Sequence, residues 1–188
     1  MPSAAKKLAT YEDVLAAPAH QVAQLVDGEL VLQPRPAIRH ARVGTRLTSQ
    51  LEGRFGDDES PDGPGGWVIL FEPELHLGAD ILVPDIAAWR RERMPELPDA
   101  AYLELPPDFC GEILSPSTAR FDRSKKLPLY AAQGVGHVWL VDPAPKTLEV
   151  LALDGATYRL LSAHGGADVV SAPPFESAEL RLAPLWSR

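Results

Sequence analysis

Two short apolar runs, each with one acid inside it, constrain this chain more than any other feature. They are ILVPDIAAW, residues 81–89, which holds Asp85, and FCGEILSPST, residues 109–118, which holds Glu112. A carboxylate inside a buried strand is costly to desolvate unless something pairs with it. Two of them on neighbouring strands also repel, and a bound cation is the direct compensation. The dipeptide Pro-Asp occurs four times, at Pro61, Pro84, Pro98 and Pro107, but only Asp85 has strand-forming residues on both sides. Glu112 alone among the acids of the middle third lies in an apolar run and is followed by a turn, Ser115-Pro116-Ser117.

At 188 residues the chain suits one domain with a sizeable core, spanning 1–188, with residues 1–9 flexible. Its single cysteine, Cys110, excludes an internal disulfide and a cysteine-based zinc cluster. No run is long and apolar enough to span a membrane, and MPSAAKKLATYEDV lacks the apolar core of a signal peptide. A cytoplasmic location is the default expectation. The net charge of −8 argues against binding nucleic acid by bulk electrostatics. The charge is uneven, however. Seven acids and no Lys or Arg lie between Gly56 and Asp80, whereas five Arg face one Glu between Arg35 and Arg54.

Thr10-Tyr-Glu-Asp13 resembles a capping box and predicts a short helix that Pro18 ends. VAQLV and ELVLQ flank Asp27-Gly28, a hairpin signature. Residues 37–55 read as the main amphipathic helix, with Val43, Leu47 and Leu51 on one side and His40 in the middle of that side. Arg35, Arg39, Arg42 and Arg46 step by four, three and four, a basic stripe whose commonest meaning is a solvated helix face. Residues 56–66 read as an acidic loop, WVILF and ELHLG as strands, and ILVPDIAAW as one strand buried on both sides. Residues 91–107 form a long surface loop. After the strand FCGEIL, a helix runs to Gly134, its regular part beginning near Ser124 or kinking at Pro128. His137 reads as a surface turn residue before the strand HVWLVD. A second hairpin turns at Asp154-Gly155, and AELRLAPLW reads as a final edge strand. This order predicts an α/β (α+β) fold around one central mixed β-sheet, flanked by helices and carrying additional β-hairpins.

The chemistry that fits two such acids is that of a hard divalent cation. Mg²⁺ takes one or two carboxylates, several waters and a substrate phosphate. Asp85, Glu112 and the backbone carbonyl of Ile113 would supply half of its shell, and Mn²⁺ could substitute. Lys125 and Lys126 open the helix after Glu112. That helix must pack back on the sheet, so one of them can reach the site to orient a water or stabilise transition-state charge. His40 reads either as a core histidine or as a substrate or water contact.

VPDIAAW, PPDFCGEILSPST and RFDRSKKLPLYAAQGVGHVWLVDP, with LVDGELVLQPRP and His40 ahead of them, resemble the Uma-type restriction endonucleases. That family is a bacterial branch of the PD-(D/E)XK nuclease superfamily. The resemblance covers roughly residues 10–186 and implies a restriction-endonuclease-like fold with Mg²⁺-dependent phosphodiester cleavage. It makes Asp85 the metal-binding Asp and Glu112 the second acid. The superfamily's usual lysine position is Leu114 here, and the resemblance points instead to Lys126, with Asp122 orienting its helix. The chain departs from the pattern at Gln24 and His137, where the family often has Glu; Gln24 thus removes a third acid beside the site. Arg39, Arg42 and Arg46 are candidate phosphate contacts, and Lys125 and His40 candidate substrate contacts. The implied partners are nucleic acid, DNA first, and a second copy in a homodimer, since two-fold symmetry suits cutting both strands. Two rivals are a non-catalytic binding member of the same fold and a metal-dependent hydrolase of a small phosphorylated substrate.

Overall fold

Pro84 breaks the run 81–89 in two. In the computed structural model, which describes residues 8–56 and 63–187, Asp80–Leu82 and Ile86–Arg90 are separate strands in separate sheets. Proline has no N–H to give a ladder, so the single strand expected from the sequence is not formed. Asp85 lies in the gap between the two halves.

In chain order the elements are α1 (Tyr11–Leu15), β1 (Gln21–Val26), β2 (Glu29–Pro34), α2 (Ile38–Leu51), β3 (Trp67–Phe71), β4 (Leu75–Leu77), β5 (Asp80–Leu82), β6 (Ile86–Arg90), β7 (Phe109–Ile113), α3 (Ala119–Phe121), α4 (Leu127–Ala132), β8 (His137–Asp142), β9 (Thr147–Asp154), β10 (Thr157–Gly165), β11 (Val169–Val170), β12 (Leu180–Arg181) and α5 (Ala183–Trp186). The central sheet is mixed and six-stranded, in the order β10-β9-β8-β7-β6-β3, with β7 and β8 parallel. A second sheet, β2-β1-β5-β4, built on the hairpin expected at Asp27-Gly28, and a β11-β12 ribbon stand apart from it. Residues 1–7 and most of the acidic loop expected at 56–66 lie outside the described residues.

Apolar side chains cover both faces of the central sheet. Val43, Leu47 and Leu51 of α2 pack with Ile86, Ala88, Phe109 and Ile113 on one face. Ala87, Trp89, Cys110 and Leu114 pack with Tyr130 of α4 and with the second sheet on the other. A parallel pair needs a crossover, and residues 119–132 supply it. This segment is helical from Ala119, and the turn Asp122–Lys126 widens to π-type just ahead of Pro128. Such widened turns are frequent at functional sites.

Three further expectations are corrected. His137 is the half-buried first residue of β8, not a surface turn residue. The second hairpin turns at Gly155-Ala156, because Asp154 still pairs with Thr157. AELRLAPLW gives only the short strand β12 before Pro184 opens α5, proline being well placed in a first helical turn. No helix among the described residues is long and apolar enough to cross a membrane.

Candidate active site

Register brings the two acids together. β6 pairs antiparallel with β7, and Ile86 lies opposite Gly111. One step further along that ladder, Asp85 falls opposite Glu112. The Asp85 carboxylate takes the place of the ladder partner that Pro84 interrupts, accepting the Ile113 N–H at 2.7 Å. The Val83 backbone, in the same gap, is also satisfied by side chains. Its N–H donates to Gln24 Oε1 at 3.0 Å, and its carbonyl accepts from Lys126 Nζ at 3.0 Å. Buried backbone groups require partners, so this irregular stretch is held rather than loose.

Glu112 has the parity of Cys110 and points to the α4 side of the sheet. There Lys126 Nζ donates to both carboxylate oxygens, at 3.1 and 3.0 Å, and Tyr130 Oη donates to Oε1 at 2.5 Å. Asp122 Oδ1 lies 3.6 Å from the same ammonium. Glu112, Asp122, Lys126 and Tyr130 are all buried to within 3% of full exclusion. Burial pushes Glu112 up, Lys126 opposes this, and Asp122 and Asp85 add to it, leaving the carboxyl at about 8. Burial alone would lower Lys126, but Glu112, Asp122 and Asp85 outweigh it and hold the amine protonated well above its ordinary range. Asp122 is raised by burial against the pull of Lys126. Burial thus raises both acids, and the acids together keep the lysine charged.

His40 reaches the site from the opposite face, on α2. Its Nε2 is 3.4 Å from Asp85 Oδ2. Burial would lower its pKa, but Asp85, the Ile113 carbonyl and Glu112 raise it overall. These groups line a cleft of about 400 Å³ with Glu72, Arg35 and the Ser115–Thr118 turn. Among the described residues, no three His, Cys, Asp or Glu converge closely enough to hold an ion by themselves.

The remaining residues singled out in the sequence go elsewhere. Lys125 pairs with Asp27 at 2.7 Å on the surface, turned away from the cleft. A helix rotates about 100° per residue, so adjacent lysines diverge and only Lys126 enters. Arg46 donates to the Pro184 carbonyl and the Ser187 hydroxyl. Arg39 and Arg42 are exposed and line a separate groove, and Gln24, fully buried, braces Val83 and Gln33 outside the cleft.

The chain matches, over residues 8–184, the model of a family described as "Uma2: Putative restriction endonuclease". It belongs to the Uma2 family. No curated protein matches it. A solved structure of a protein described as a putative nuclease belonging to DUF820, from Anabaena variabilis ATCC 29413, superposes with a TM-score of 0.73. It shares 21% identity, over 95% of this chain and 97% of that one, a likeness of fold alone.

In this Uma2 chain two residues of the site escaped the sequence reading, Tyr130 beneath the cleft and Glu72 in its wall. Tyr130 stands four residues after Lys126, which stands four after Asp122. That spacing puts all three on one helix face, and it was visible in the sequence. Glu72 was not. It follows β3 with a positive φ of 46°, and its N–H donates to the Asp85 carbonyl at 3.0 Å. Its pKa is raised by burial and by Asp85, against Arg35, His40 and Lys126.

Proposed function

We propose that this Uma2 chain is a Mg²⁺-dependent endonuclease, with Mn²⁺ an acceptable substitute, that hydrolyses nucleic-acid phosphodiester bonds, DNA first among them. The observation that carries this reading is a charge imbalance. Asp85, Glu112 and Asp122 surround the single ammonium of Lys126 in a place largely shut off from water. A divalent cation would relieve that imbalance. The fitting donors are the carboxylates of Asp85 and Glu112 and the carbonyl of Ile113, hard oxygen ligands of the kind Mg²⁺ takes alongside water and phosphate. When bound, such an ion polarises a phosphoryl oxygen and acidifies a water.

The protein's own groups do the rest. Lys126, held cationic, supplies positive charge where the phosphoryl oxygens gain negative charge, and it orients the attacking water. Asp122 and Tyr130 fix the positions of Lys126 and Glu112. His40 steadies Asp85 and faces the cleft as a water or substrate contact. Arg39 and Arg42 lie on the far side of the same helix and serve as phosphate contacts. A homodimer would place two such sites about a two-fold axis, suited to the two strands of a duplex.

The test is nicking of supercoiled plasmid in Mg²⁺ by the wild type, Asp85→Asn and Glu112→Ala. Cleavage by the wild type alone supports the assignment; equal cleavage by all three overturns it. The size of the cleft favours one alternative, since about 400 Å³ also suits a small phosphorylated substrate. Turnover of such a substrate would be nearly insensitive to salt, whereas nucleic-acid binding weakens steeply as salt rises.

A further inference from the structure

We propose that the groove on the far side of the first turn of α2 binds single-stranded nucleic acid, on either flank of the phosphate held in the cleft. The link to the cleft rests on the nuclease reading; the groove itself stands on its own observations. It holds about 750 Å³ and is lined by Arg39, Arg42, Lys146, Ile38 and Trp186, with no acid among the described residues of its wall. Among the described residues, none of its three cations has a carboxylate partner. On a chain of net charge −8 this is a local reversal of sign, the complement of a phosphodiester backbone.

The apolar residues decide for a single strand over a duplex. Ile38 is 91% exposed, higher than any other large apolar side chain among the described residues. Trp186 is half-buried, its ring pinned by an N–H bond of 2.7 Å to the Gly166 carbonyl. A flat ring and an apolar side chain beside cations make a stacking platform along a backbone track, the combination that binds unpaired strands. Duplex bases hide their faces and would offer Trp186 only sugar and phosphate. Ala37 and His40 line the cleft while Ile38, Arg39 and Arg42 line the groove, so one helix turn divides them.

Intrinsic fluorescence tests this directly. Trp67, Trp89 and Trp139 are at most 2% exposed, so quenching by an added strand reads Trp186. The full chain in EDTA, titrated with a twelve-residue oligothymidylate, should quench saturably, with log affinity falling as log salt rises at a slope of about −2. Arg42→Ala with Lys146→Ala, both exposed positions, should weaken binding on the order of tenfold and flatten the slope by about 1.4. Binding unchanged in that double variant, or a duplex of the same length that quenches as strongly, overturns the proposal. Because EDTA removes cleavage from the measurement, the two readings fail separately. Plasmid nicking without quenching sinks the groove alone, and quenching by a chain that never nicks sinks the nuclease reading alone.

Discussion

On one side of the first turn of α2 stand three carboxylates and one ammonium, with Glu112, Asp122 and Lys126 almost wholly out of water and Asp85 at the edge. On the other stand three exposed cations and a half-buried tryptophan. On the buried side the groups hold one another by hydrogen bonds and ion pairs around a single ammonium, because a charge without a partner there would destabilise the fold. The exposed side needs no internal partners, because water already solvates its charges. Substitutions in the cleft should therefore move stability and activity together, and substitutions in the groove should move binding alone.

The largest effect is expected at Lys126. At about pH 9, where Glu112, pushed up to about 8, is ionised, Lys126→Met leaves Glu112 and Asp122 without their cation and should cost about 3–5 kcal/mol in urea denaturation. Mg²⁺-dependent cleavage should fall on the order of a hundred- to a thousandfold. Wild-type stability in this variant would mean that the buried acids are neutral and the charge imbalance is not there. Tyr130→Phe comes next. It removes one hydrogen bond to a buried carboxylate, a loss of about 1.5–3 kcal/mol, read by the same denaturation.

A pH series sharpens the contrast further. In metal-free protein Glu112 titrates near 8 when folded, against an ordinary 4.5. The folded state thus binds more protons between those values, and its stability from this group is present below 4.5 and lost as pH rises through 8. Glu112→Gln lacks that dependence. Stability of the wild type relative to this variant should decline from about pH 5 to about pH 8 in EDTA, and a flat difference would contradict the assignment. The smallest effect on stability belongs to the groove: Arg42→Ala should stay within about 0.5 kcal/mol of wild type. A larger loss would show that the groove is structural.

What could be read from the sequence follows the same division. Asp85 and Glu112 stood out because an acid in an apolar run is physically anomalous. Their meeting was expected from the cost of two buried acids and from the family resemblance; the register that achieves it, β6 against β7 with the break at Pro84, was not legible, because periodicity carries no cross-strand register. Lys126 and Lys125 are adjacent in the chain, and the family resemblance, not helical spacing, separated them; the structure buries one and exposes the other. Arg46 belonged to an even basic stripe, yet the C-terminal segment, far off in sequence, takes it up. Glu72 could not have been found, because it enters the cleft through a left-handed turn conformation at a non-glycine residue. The groove needed Trp186 and Lys146 brought beside α2, a long-range juxtaposition that no local pattern encodes.

The central claim is that Asp85 and Glu112 share one divalent ion. Mn²⁺ binding, followed by the loss of the free-ion electron paramagnetic resonance signal, measures this without any substrate. The account predicts one ion per wild-type chain and none at the same concentration in either Asp85→Asn or Glu112→Gln. Undiminished binding in both variants would contradict it.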